Sequence, residues 1–213
     1  VYKATATTGE GSIWHPGRHS LFWVDIEGKT LYEFLPEKKD CRKWTFDRMV
    51  TTVVPESDST VVVSLQDEIV RVNVRSGDRV PITGIEDRDG SVRCNDGKCD
   101  PEGRLWVGTM SMSAPPRAAH LYCVTPEGEV TAKIDSVTIS NGLVWTSDKR
   151  YMYYIDTPTQ KIVRYLYDPA TGSITYDRVA VTVPREYGSP DGMTIDAKGN
   201  LWVAHWGGYG VYC

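Results

Sequence analysis

The 213-residue sequence predicts an all-β protein, a β-propeller built from four-stranded antiparallel blades. Short runs rich in β-branched and aromatic residues alternate with turn residues, and no segment of helical length shows a 3.6-residue period. One of these runs also recurs along the chain at a period that fits one blade. A β-sandwich would contain many short strands too, but it would not repeat one phrase at such a spacing.

The recurring run is a short strand that follows a turn and usually has an aromatic residue at its centre. The centres of its five copies are 39 to 48 residues apart. The copies are LFWVD (21–25), TVVVS (60–64), RLWVG (104–108), MYYID (152–156) and NLWVA (200–204). Turns such as DPEGR and DAKGN come before them, and further strands such as TLYEF and IVRYLY come after. Each unit therefore consists of several antiparallel strands, as a propeller blade does.

The number of copies bears on how much of a propeller the chain contains. A propeller must close its ring to remove open strand edges, and the last copy is followed by only a few residues. We expect one propeller domain over residues 1–213 that is incomplete at its C-terminus. The chain would then cover only the first four to five blades of a six-bladed propeller.

Composition excludes several classes of partner. The net charge is −4 and no run of Lys or Arg stands out, so a surface for nucleic acid or for an anionic membrane is not expected. No apolar stretch reaches the roughly 18 residues of a membrane span, and the N-terminus lacks the features of a signal peptide. The five Cys form no C-x-x-C pair, which favours reduced thiols and a cytoplasmic protein. Nothing in the sequence indicates an oligomeric state.

Oxygen-bearing side chains stand at matching places in four of the five repeats. They lie 11 or 13 residues before the centre of the recurring strand, and they are Glu10, Asn95, Asn141 and Asp191. A single Asn-Gly or Asp-Gly pair is ordinarily a local turn. Equivalent positions of successive blades, however, surround one axis. We therefore expect these side chains to meet at one mouth of a central channel.

Two carboxylates that meet in a channel repel each other unless a proton or a cation neutralises them. A ligand set made of carboxylates and amides favours a hard divalent cation. Ca²⁺ stands first, with Mg²⁺ and Mn²⁺ behind it. Zn²⁺ is a further candidate, although its sites usually contain His or Cys.

Several longer phrases resemble the regucalcin/gluconolactonase family, also called the senescence marker protein family. The phrases are GEGSIW, LFWVDI, RCNDGKCDPEGRLWVGTM, ISNGLVW, YYID and SPDGMTIDAKGNLWVAHW. The resemblance runs from about residue 9 to residue 213. It implies a six-bladed propeller with one divalent metal in its channel and hydrolysis of sugar lactones.

The same resemblance implies roles for particular residues. Metal ligands would be Glu10, Asn141 and Asp191, and the substrate would contact Arg93 and Asn95. Asp191 would also be the general base. Where some animal members have a Glu that contacts the substrate, this chain has Ser113, which bears on the identity of the sugar. His205 and Trp206 follow the last recurring strand, and either could line the channel.

The sequence therefore predicts metal-dependent hydrolysis of an aldonolactone such as gluconolactone to the aldonic acid. The metal would polarise the lactone carbonyl while Asp191 activates water. Two alternatives remain open at this stage: a non-catalytic, calcium-binding regulatory propeller, and a propeller hydrolase that acts on another ester. Arg93 and Asn95 favour a hydroxylated substrate, because both can hydrogen-bond to a diol.

Overall fold

The computed structural model describes residues 2–85, 90–113 and 115–213. The chain divides into two compact units, residues 1–88 and 89–213. Nearly all regular structure in the described residues is antiparallel β-sheet, and within each sheet every strand pairs with the next one along the chain. Among the described residues, no helix has the length and hydrophobicity needed to span a bilayer.

The first unit contains two four-stranded sheets within its described residues. The first sheet consists of β1 (Gly9–His15), β2 (Ser20–Asp25), β3 (Thr30–Leu35) and β4 (Asp40–Thr45). The second consists of β5 (Val50–Pro55), β6 (Thr60–Leu65), β7 (Glu68–Asn73) and β8 (Arg79–Gly84). Strand β5 contacts both β1 and β2, and a core rich in Val lies between the sheets.

The second unit contains three sheets within its described residues. The first of them consists of β9 (Val92–Cys99), β10 (Leu105–Ser111), β11 (Ala119–Val124) and β12 (Val130–Val137). The next consists of β13 (Ser140–Trp145), β14 (Tyr151–Asp156), β15 (Lys161–Asp168) and β16 (Ser173–Thr182). The last has three strands, β17 (Ser189–Ile195), β18 (Leu201–Trp206) and β19 (Gly210–Tyr212). The first strands β9, β13 and β17 pack side by side in that order.

The prediction of an all-β protein made of antiparallel blades is confirmed, but the predicted number of blades is wrong. The described residues form five blades that occupy the chain from Gly9 to Tyr212, not four to five blades of a six-bladed propeller. Every recurring run is the second strand of one sheet, so five runs correspond to five blades. The sixth blade rested on the resemblance and on the expected closure of a ring, and no repeat in the sequence corresponded to it.

An aspartate in the turn after the first strand explains two of the recurring phrases. In DPEGR, the Asp100 carboxylate accepts hydrogen bonds from the backbone N–H of Glu102 and Arg104 and from the Trp106 indole, 3.0 Å away. Asp196 accepts the equivalent bonds in DAKGN, including one of 3.1 Å from Trp202. The turn and the aromatic strand are thus one local structure, which is why they recur together in the sequence.

The first strand of every blade carries one extra residue where it pairs with the second strand. Register shifts of this kind occur between Glu10 and Ile13, Val50 and Thr52, Cys94 and Gly97, Asn141 and Leu143, and Pro190 and Met193. Such a bulge bends the strand and redirects a side chain. All four predicted polar residues lie in or beside these bulges. The second blade, which seemed to lack an oxygen-bearing residue, has Thr51 at its bulge.

Candidate functional site

Three of the predicted site residues meet in the second unit, on neighbouring first strands. Asn95 lies on β9, Asn141 on β13 and Asp191 on β17. Both asparagine residues are buried, at 5% exposure each. The Asn95 Nδ2 donates to the Ser140 carbonyl over 2.8 Å and contacts the Asn141 Oδ1 at 3.3 Å. The amides are therefore held by strand-to-strand hydrogen bonds and do not cap turns of their own.

Gly142 allows β13 to approach β17 at this point. A Cβ atom on Gly142 would lie 2.7 Å from the Asp191 carbonyl oxygen and 2.8 Å from the Met193 backbone nitrogen. Real Cβ atoms do not come so close to a backbone. The glycine of the Asn-Gly pair thus allows the two blades to pack closely, and it brings Asn141 beside Asp191.

Two partly buried ionisable residues that the sequence reasoning missed, Asp96 and Lys98, lie near Asp191. Burial and the neighbouring Asp96 carboxyl raise the pKa of Asp191 to about 6. Burial raises the pKa of Asp96 as well, and Lys98 opposes that rise. The Lys98 ammonium donates to the Met193 carbonyl over 2.9 Å, so it links β9 to β17. Asp96 and Lys98 are both part of the NDGK phrase. Their spacing of two residues, which puts side chains on the same face of a strand, is the sequence signal that could have identified them.

Arg93 precedes Asn95 on β9, and the two side chains are in contact. The Arg93 Nη1 donates to the Asn95 Oδ1 over 2.9 Å and to the Cys94 carbonyl over 2.8 Å. Ser113 is exposed in the loop after β10, and its backbone N–H donates to the Ser91 carbonyl. Ser113 therefore lies beside the start of β9, near the Arg93 end of this group.

The remaining predicted residues lie on β18, which pairs with β17, or in the other unit. The His205 ring stacks on Tyr212 at 4.3 Å between ring centroids, and its Nδ1 is 2.9 Å from the Tyr187 carbonyl. It lines a cavity of about 510 Å³ whose walls include no other predicted site residue. Trp206 is 70% exposed. Glu10 lies on β1 in the first unit, at the bulge of its own blade.

The donor set of the second unit suits a hard cation. No three His, Cys, Asp or Glu residues are grouped as metal ligands within the described part of the chain. Ligands must then include amide oxygens, and Asn141 presents one beside Asp191. Burial and the neighbouring Asp96 carboxyl both disfavour the charged form of Asp191, and a bound cation would relieve that cost. These residues therefore fit the divalent cation that the sequence predicted.

Comparison with known proteins identifies the family of this chain. The family model described as "SMP-30/Gluconolactonase/LRE-like region" matches residues 8–213. This chain belongs to that family. The predicted family is thereby confirmed.

Relatives of this chain within the family are named as a sugar lactone lactonase and as regucalcins. A protein named "Putative sugar lactone lactonase YvrE" from Bacillus subtilis is 41% identical over 95% of this chain and 70% of its own length. Regucalcin from Oryctolagus cuniculus is 34% identical over 94% of this chain and 69% of its own. A crystal structure described as a calcium-binding protein, regucalcin, from Agrobacterium tumefaciens superposes with a TM-score of 0.90. It is 27% identical and covers 96% of this chain and 69% of that one.

Proposed function

We propose that this protein hydrolyses a sugar lactone to the aldonic acid, in a reaction that depends on a divalent cation, Ca²⁺ first. Family membership confirms the prediction of a lactonase-type enzyme. The observation that carries the finer proposal is the group formed by Asn95, Asn141 and Asp191, which three strands bring together in the second unit. Oxygen ligands, a partly buried carboxyl and adjacent hydrogen-bond donors are what such a reaction requires.

Asn141 and Asp191 would hold the cation, and Glu10 is proposed as a third ligand on the strength of the resemblance. A divalent cation bound there would polarise the lactone carbonyl and keep Asp191 ionised. The Asp191 carboxylate would accept a proton from the water that attacks the carbonyl carbon. Without a cation the pKa of Asp191 is about 6, and a bound cation would lower it, so the carboxylate would be ionised and would act as a weak base at neutral pH.

Arg93 and Asn95 are proposed to bind the hydroxyl groups of the sugar. Their mutual hydrogen bond holds the guanidinium in one orientation beside the amide. A planar guanidinium can donate two parallel hydrogen bonds to a diol. Ser113 would contact the same end of the substrate, since its loop is bonded to the start of β9. His205 stays a prediction: it pairs with Pro190, the residue before Asp191, and its ring stacks on Tyr212.

The test is an assay of hydrolysis with a panel of aldonolactones, in which proton release is measured. Wild type, Asp191→Asn and Asp135→Asn are compared after chelation and after addition of Ca²⁺, Mg²⁺, Mn²⁺ or Zn²⁺. Asp135 is an exposed carboxylate on β12 of the same unit and serves as the matched control. We expect activity that returns with a cation, a kcat lowered about 10²–10⁴-fold by Asp191→Asn, and no loss from Asp135→Asn.

Other outcomes select between the alternatives. If calcium binds and no lactone is hydrolysed with any cation, the protein is a calcium-binding propeller and the enzymatic proposal fails. If aryl or phosphate esters are hydrolysed while lactones are not, the reaction is correct in type and the substrate class is wrong. If activity survives chelation unchanged, the proposed metal centre is wrong.

A further inference from the structure

Thr157 connects the strands that carry Asn141 and Asp191, and its role is not apparent from the sequence. It begins the short 3₁₀ turn Thr157–Thr159 directly after β14. Its Oγ1 lies 2.8 Å from the Asn141 Nδ2 and 2.8 Å from the Pro190 carbonyl oxygen. Pro190 immediately precedes Asp191. One hydroxyl group thus touches the side chain of one proposed ligand and the backbone beside the other.

The direction of these bonds follows from the number of protons. A threonine hydroxyl has one hydrogen to donate, and a carbonyl oxygen can only accept. The hydroxyl therefore donates to the Pro190 carbonyl and accepts from the Asn141 amide nitrogen. This choice turns the Asn141 Oδ1 away from Thr157, to the side where the Asn95 Nδ2 lies 3.3 Å away. The hydroxyl thus decides which atom of the Asn141 amide is available to a ligand.

The same logic continues along the row of side chains. The Arg93 Nη1 can only donate, so the Asn95 Oδ1 accepts from it over 2.9 Å. The Asn95 Nδ2 must then face β13, where it donates to the Ser140 carbonyl. The hydrogen bonds therefore all point the same way. Arg93 donates to Asn95, which donates to β13. Asn141 donates to Thr157, which donates to the Pro190 carbonyl. Both amides are oriented, and neither is free to flip.

We propose that Thr157 is a positioning residue that sets the affinity of the site for its divalent cation. It fixes the Asn141 Oδ1 as the outward atom and anchors the backbone next to Asp191. This inference rests on the metal centre proposed above. Groups that orient metal ligands in this way typically change metal affinity about 10–100-fold when they are removed.

The chain offers a clean set of variants. Thr157→Val keeps the shape of the side chain and removes the hydroxyl, whereas Thr157→Ser keeps the hydroxyl. The backbone of Thr157 is held independently, because its N–H donates to the Ile139 carbonyl over 3.0 Å. Thr159→Val is the matched control, since the Thr159 hydroxyl lies in the same turn and bonds only locally, to the Asp156 carbonyl.

Calcium binding is measured by titration calorimetry, and kcat and KM are measured as functions of calcium. We expect Thr157→Val to raise the calcium Kd about 10–100-fold while Thr157→Ser and Thr159→Val stay within about threefold of wild type. Saturating calcium should restore the kcat of Thr157→Val, which a general loss of structure would not allow. Equal calcium affinity in Thr157→Val and wild type overturns the inference and leaves the proposed function standing.

A second readout needs no metal. The side-chain amide signal of Asn141, assigned by its disappearance in Asn141→Asp, is followed by NMR in metal-free protein. We expect slow hydrogen exchange at this amide in wild type and Thr157→Ser, and fast exchange in Thr157→Val. Unchanged exchange in Thr157→Val shows that the hydroxyl does not hold the amide. A wild type that binds no divalent cation overturns both the metal centre and the role of Thr157 in it.

Discussion

At the scale of single residues, the role of an aspartate depends on its surroundings and not on its residue type alone. Asp100, Asp191 and Asp196 are the same residue type, and each stands near a recurring strand. Hydrogen bonds from Trp202 and Asn200 lower the pKa of Asp196 to about 2, whereas burial and Asp96 raise that of Asp191 to about 6. A carboxylate whose lone pairs are occupied stabilises a turn. A partly buried carboxylate beside another carboxyl can bind a cation or a proton.

Asp100 gives a stability prediction with a defined dependence on pH. Burial alone would raise its pKa, but hydrogen bonds from Trp106, Tyr167 and Arg104 hold the pKa below its ordinary value. A lowered folded-state pKa means that the carboxylate stabilises the fold fully above about pH 4 and loses this effect as the pH falls through the folded value. We expect Asp100→Asn to lower the free energy of unfolding by about 3 kcal/mol at pH 7, because Arg104 and two other donors lose their charged acceptor.

Urea unfolding at pH 7 and at steps down to pH 3 measures this effect. The difference between Asp100→Asn and wild type should begin to shrink below about pH 4, because the Asp100 carboxyl takes up a proton in the unfolded state before it does so in the folded state. Exposed Asp135→Asn should destabilise the protein little at pH 7. A difference that stays constant between pH 7 and pH 3 would contradict the assigned role of the charge.

At the scale of elements, the bulge in the first strand of each blade determines where the polar side chains of the candidate site lie. The sequence located Asn95, Asn141 and Asp191 by their distances from the recurring strand. It missed Asp96, Lys98 and Thr157, because each of them acts on a residue of another blade. The Lys98 ammonium reaches Met193, 95 positions along the chain, and no sequence pattern encodes which distant backbone atom a side chain will meet.

The close approach of β13 and β17 can be tested at Gly142. In Gly142→Ala, the new Cβ would lie 2.5 Å from the Met193 Cβ and 2.7 Å from the Asp191 carbonyl oxygen, so one strand must shift. We expect a loss of about 1–3 kcal/mol in unfolding free energy, together with weaker calcium binding. Gly192→Ala is the control for stability, because a Cβ there meets nothing within 4 Å. Equal unfolding free energies for the two variants would show that the strands do not need this contact.

At the scale of the whole molecule, repeat counting and family resemblance gave different answers. Five recurring strands correspond to five blades in the described residues, whereas the resemblance led to the wrong expectation of a partly covered six-bladed propeller. The chain spans 70% of the length of its B. subtilis relative. The blades fall into two compact units, with two blades in the first and three in the second among the described residues.

Glu10 is the proposed ligand that lies in the first unit. A variant of Glu10 therefore tests the prediction that equivalent residues of successive blades form one site. We expect Glu10→Gln to weaken calcium binding about 10-fold or more, since a carboxylate is lost from a hard-cation site. Calorimetric titration measures the Kd, with Glu27→Gln in the exposed turn after β2 as the control. A calcium Kd unchanged by Glu10→Gln would remove this residue from the ligand set, while the group in the second unit would keep its support from Asn141 and Asp191.

The sequence by itself determined what is periodic and local. Alternating strands, the Asp–Trp turns and the spacing of the polar residues follow from short-range geometry, and they were sufficient to predict an all-β propeller, its family, and three residues that the fold brings together. Only the tertiary structure decided which side chains of different blades touch. The Thr157 hydroxyl reaches the Pro190 carbonyl of another blade, and burial together with Asp96 raises the pKa of Asp191. These are contacts between strands far apart in the chain, and their distances and burial exist only once the blades have packed.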